Sequence, residues 1–102
     1  MSNLSIDDLM DMSTLEYLET IQSCSLMTRK QIEKGLEIEL QRLNMTINRV
    51  NEAFTRMDSE EKQKSLNTLV NLGKLQMKMA IRIEEVKAIS CKIAKEMMSI
   101  KQ

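Results

Sequence analysis

The chain has 102 residues with no proline, tryptophan or histidine, and Tyr17 and Phe54 are its only aromatic residues. At 42% hydrophobic and 29% charged residues, with a formal net charge of zero, it reads as one helical domain, not a disordered segment. Two glycines cannot supply the regularly spaced turns of a β-rich fold, and without histidine there is no Ser-His or Cys-His catalysis.

The first helix signal is Ser5-Ile-Asp-Asp8. Ser5 is a good cap and Asp7 and Asp8 suit the positive end of a helix, so a short helical turn is predicted over residues 6–11. Ser13-Thr-Leu-Glu16 has the form of a capping box and opens the first long helix, predicted over residues 14–57. Its core stripe is Ile32, Leu36, Leu40, Leu43, Ile47, Val50, Phe54 and Met57, stepping by three and four as a helix seam does. Leu18 and Ile21 fall on the same face, but Ser25 and Arg29 interrupt it. Either one helix tolerates polar residues there, or it breaks around Ser23–Thr28 into a three-helix arrangement. The expectation favours continuity.

Met57-Asp-Ser-Glu-Glu61 is the clearest boundary, with Asp58 or Ser59 as cap and glutamates in the next turn. A second long helix is predicted over residues 60–101. Its seam is Leu69, Leu72, Met79, Ile83, Val86, Ile93, Met97 and Ile100, interrupted by Gln76 and Ser90. Gly73 costs about 1 kcal/mol of helix propensity relative to alanine. A link of two or three residues makes such helices antiparallel. The predicted fold class is therefore all-α: a long antiparallel helical hairpin, with a short N-terminal helix, that assembles into a helical bundle.

Leu66, Val70, Met77 and Ile81 lie opposite the second helix's seam, so its first half is apolar on two sides. One side packs on the first helix and the other needs a partner. Ile38 and Met45 form a weaker patch on the first helix. These six residues are the candidate interface.

Charge is divided along the chain. Residues 1–61 hold six Lys/Arg and twelve Asp/Glu, and residues 62–102 hold nine and three. An antiparallel hairpin places the acidic start beside the basic end and predicts pairs of Lys78 with Glu39, Arg82 with Glu33 or Glu37, and Lys101 with Glu16. Lys74, Lys78 and Arg82 form a row that reads either as a contact strip for phosphates or acidic lipids, or as a solvated face.

No glycine-rich phosphate loop, metal-ligand set or cofactor motif stands out, so no catalytic, cofactor-binding or metal residue is assigned. Cys24 and Cys91 read as small buried thiols, although a hairpin brings them to nearly one level, where a bridge is an alternative. Ten methionines read mainly as core filler, with Met77, Met79, Met97 and Met98 as an alternative adaptable surface. No apolar run reaches a membrane span and no secretory leader is visible, so the expected location is cytoplasmic, or outside the cell by a route without a cleavable signal. The Asn-X-Ser/Thr sequences at Asn3 and Asn44 then carry little weight.

The leading expectation is a non-enzymatic interaction module: an adaptor, chaperone or regulatory subunit acting through helix packing, as a homo-oligomer (a dimer first) or with another helical protein. The alternative is a nucleic-acid or acidic-membrane binder using the basic second helix. A third reading is a small secreted hairpin effector. Length and two-helix layout are loosely similar to the WXG100 family of secreted hairpins, although the turn here reads Met57-Asp58-Ser59-Glu60, with no Trp-X-Gly.

Overall fold

Four helices follow one another along the chain: α1 (Ile6–Asp11), α2 (Thr14–Ser23), α3 (Leu26–Thr55) and α4 (Ser59–Ile100). The structure, a computed structural model, describes residues 5–100, with side chains to residue 99. Asn3, Lys101 and the side chain of Ile100 lie outside the described residues, as does the predicted Lys101–Glu16 pair. Among the described residues there is no strand.

Each helix start is set by one short polar side chain. Ser5 Oγ accepts from the Asp8 N–H, and the Asp8 carboxylate accepts from the Ser5 N–H in return. Ser13, Ser25 and Asp58 accept in the same way from Glu16, Thr28 and Glu61. Each contact satisfies a donor that the first turn of a helix leaves free.

The predicted single helix over 14–57 is two helices. The chain breaks at Cys24–Ser25, both extended, with ψ of 152° and 162°. The same corner occurs at Met12–Ser13, with ψ of 149° and 161°. A corner of two extended residues closed by a serine cap needs no positive φ, and among the described residues none has one. The legible signal was Ser25 ahead of Thr28, inside the polar run Gln22-Ser-Cys-Ser25.

The break doubles α2 back onto the hairpin. α3 and α4 form the long antiparallel pair, α2 packs on α4, and α1 packs on α3. Leu9, Met10, Tyr17, Ile21, Ile32, Leu36, Met79, Ile83 and Val86 make the buried core, all at the end away from the α3–α4 turn. Toward the turn, the seam residues Leu43, Ile47, Val50, Phe54, Leu69 and Leu72 are only half-buried, because nothing there covers two helices.

Polar residues that interrupt the seams meet partners across the pair. Arg29 Nε donates to Ser90 Oγ at 3.1 Å, and Arg29 Nη1 donates to the Cys24 carbonyl at the corner. Gln76 Nε2 donates to Asn44 Oδ1 at 2.6 Å. These pairs place residue i of α3 level with residue 119 − i or 120 − i of α4. A slipped register would leave them unpaired, so they select this one.

The predicted ion pairs of Lys78 with Glu39, and of Arg82 with Glu33 or Glu37, do not form. Lys78 lies on the flank of α4 beside α2, and Arg82 is covered by α2. Lys87 takes Glu37 instead, at 3.5 Å, with both side chains nearly half exposed, so the pair contributes little beyond orientation. Met97, placed in the predicted seam, is exposed. α4 has 42 residues and α3 has 30, so the end of α4 runs past the start of α3 without a neighbour.

Gly73 sits inside α4, and a Cβ added there would meet nothing within 4 Å. Gly73→Ala is expected to raise unfolding free energy by about 1 kcal/mol through helix propensity alone. A urea titration checks it, and a loss of stability would mean that another backbone approaches this position.

Candidate helix-docking surface

The predicted interface residues on α4 are all at the surface. Leu66, Val70, Met77 and Ile81 are between 47% and 66% exposed. Their spacing of four, seven and four puts them along one stripe of a helix with 3.6 residues per turn. Ile38 and Met45 are exposed on α3, at 43% and 56%. The strip runs from the uncovered, turn-proximal half of the hairpin to the level of α2's first turn.

The basic row is changed by the structure. Lys74 and Lys78 are exposed, but Arg82 is 3% exposed and belongs to no solvated strip. The corner at Met12–Ser13 lays Tyr17 on it. The guanidinium carbon lies 4.4 Å from the Tyr17 ring centroid, a cation–π distance. Arg82 Nη2 donates to the Met12 carbonyl at 2.8 Å, and the Tyr17 hydroxyl donates to the Arg82 carbonyl. Nη1 is buried with no partner. Burial pushes the Tyr17 phenol well above its ordinary range; the Glu85 carboxylate adds to the shift and Arg82 opposes it. Arg82 thus locks α2 to α4.

A surface groove lies between the first turn of α2 and the outer face of α4. Thr14, Lys74, Met77, Lys78, Ile81, Arg82 and Glu85 line it. Sequence reasoning had the α4 side of this groove. It missed the α2 wall, because a continuous first helix has no turn at that place.

A second group of exposed apolar side chains was also missed. Leu15, Leu26 and Met27 are 52–72% exposed around the α2–α3 corner. Leu26 and Met27, with Lys30, Gln31 and Lys34, line a shallow apolar hollow. In an unbroken helix these residues read as ordinary periodic positions.

Among the methionines singled out, Met79 is core, whereas Met77, Met97 and Met98 are exposed. Cys24 is half-buried and Cys91 is exposed, and both are free thiols, so the expectation of two buried thiols fails at Cys91. Cys24 Sγ donates to the Thr20 carbonyl at 3.1 Å, a bond within its own helix end. Among the described residues no cluster of three His, Cys, Asp or Glu could hold a metal ion, and no helix is long and apolar enough to cross a membrane. Compared with family models, curated proteins and solved structures, the chain matches none of them.

Proposed function

We propose that this chain is a non-enzymatic interaction module whose turn-proximal half is finished by partner helices. One observation carries the reading. The α3–α4 pair is covered by α1 and α2 at one end and bare at the other, and the bare end adjoins the strip Leu66, Val70, Met77 and Ile81. A two-helix layer with an apolar outer stripe gains by burying it. Covering the six interface side chains, each already about half exposed, contributes roughly 1 kcal/mol per residue. The total is several kcal/mol before the cost of association. The occupants that fit are a second copy, making a bundle of paired hairpins, or a helical segment of another subunit.

Val70→Glu combined with Met77→Glu tests the reading. Both side chains are exposed, so helicity by circular dichroism is expected to hold. Light scattering is expected to show any assembly reduced to single chains, or a bound helical partner released. An assembly of unchanged mass and helicity in the double variant removes the strip as the interface.

A further inference from the structure

The two long edges of the Leu66–Ile81 strip differ in charge. On one edge lie the small Gly73 and Ala80, with the exposed Glu84 one turn beyond Ala80, beside Ile81. On the other lie the exposed Lys74 and Lys78, and across the groove from them the first turn of α2. α2 is a ten-residue helix, and its start carries the positive end of the helix dipole, offset in part by the Glu16 carboxylate in the same turn. Arg82 lies at the base of the same groove, with Nη1 buried and unpartnered. Glu85 is the one carboxylate lining the groove, and neither lysine forms an ion pair with it. The floor under Met77 and Ile81 is thus apolar, and one wall has an excess of positive charge.

We propose that this groove docks an amphipathic helix of another protein. Its apolar face seats on Met77 and Ile81, and its edge carries carboxylates toward Lys74, Lys78 and the start of α2. This rests on reading the strip as an interface and adds the chemistry of the occupant. A second copy matches the apolar residues and, on the Gly73 and Ala80 edge, brings Lys62 nearly level with the copy's Glu84. The strip is symmetric about its centre, so in an antiparallel two-fold pairing of α4 helices Leu66 lies level with the copy's Ile81, and Val70 with its Met77. The same two-fold axis keeps each edge on its own side. It sets Lys74 against the copy's Lys74 beside the axis, with both Lys78 side chains and both α2 starts along that edge. Like charges opposed across an interface discriminate against the pairing, and a carboxylate edge meets them with opposite sign.

The test uses two synthetic helical peptides with one shared leucine-rich face. One carries glutamates along a single edge and the other carries lysines there. Fluorescence anisotropy measures each against the full chain. The glutamate peptide is expected to bind roughly tenfold tighter, the preference two exposed ion pairs supply together, and the difference is expected to shrink as salt rises. Lys74→Glu with Lys78→Glu, both at exposed positions, is expected to reverse the order, and Met77→Glu to weaken both peptides. Equal binding of the two peptides, or an order that survives the lysine reversal, overturns the charge assignment and leaves the strip an interface. If neither peptide binds and the chain is a dimer dispersed by the Val70→Glu and Met77→Glu pair, the occupant is a second copy: this inference fails and the interface reading stands. If neither peptide binds and the chain is a monomer, both fall.

Discussion

Tyr17→Ala is expected to undock α2 and to lower the unfolding free energy by about 3–5 kcal/mol, the usual cost of emptying a buried aromatic site. Tyr17 has no exposed surface, and its ring covers a guanidinium that is itself buried. Without the ring, Arg82 keeps one hydrogen bond to Met12 and faces a cavity. A urea titration followed by circular dichroism reads the loss; an unchanged midpoint would mean that α2 is not docked in solution. Tyr17→Phe keeps the ring and removes the hydroxyl's bond to the Arg82 carbonyl, so it is expected to cost only about 0.5–1.5 kcal/mol.

The same pair of variants separates a pH effect. The folded phenol is held above its ordinary value, first by burial and then by Glu85. An unfolded tyrosine ionises near pH 10. Above that pH the unfolded chain releases a proton that the folded chain keeps, so stability falls as pH rises. Below it the two states carry the same proton and the group adds no slope. Tyr17 is the sole tyrosine, so the alkaline loss that disappears in Tyr17→Phe belongs to it.

Removal of α1 and α2 through Cys24 is expected to have an effect of similar or greater size. It uncovers Leu36, Ile83 and Val86, all 5% exposed or less in the whole chain. At about 1.5–3 kcal/mol for each side chain returned to water, this approaches the whole stability of a small domain, roughly 5–15 kcal/mol. The shortened chain is expected to lose its cooperative thermal transition or to associate through the new surface. Light scattering with a circular dichroism melt distinguishes the two. A monomer that melts as the full chain does would show that the α3–α4 pair is stable by itself, and that the core at its covered end contributes little.

Much of this architecture is written in local chemistry. The serine and aspartate caps at Ser5, Ser13 and Asp58 mark three of the four helix starts, and the three- and four-residue steps of leucine and isoleucine mark the facing seams. The outer strip on α4 is equally legible, because a helix apolar on two sides announces itself through periodicity alone. The polar interruptions Arg29, Gln76 and Ser90 are visible too, but their meaning is not. Each is a mismatch in its own helix and becomes a register pin only beside its partner on another element.

The sequence by itself determined α1, α4, the hairpin and the apolar strip on α4, since capping and periodicity act over a few residues. Only the tertiary structure decided the corner at Cys24–Ser25, the burial of Arg82 and the groove beside α2. The corner rests on two extended residues that no glycine or proline announces. An arginine at a surface-facing period is solvated or buried according to what folds over it. Here Tyr17, distant in sequence, arrives with α2 and covers it.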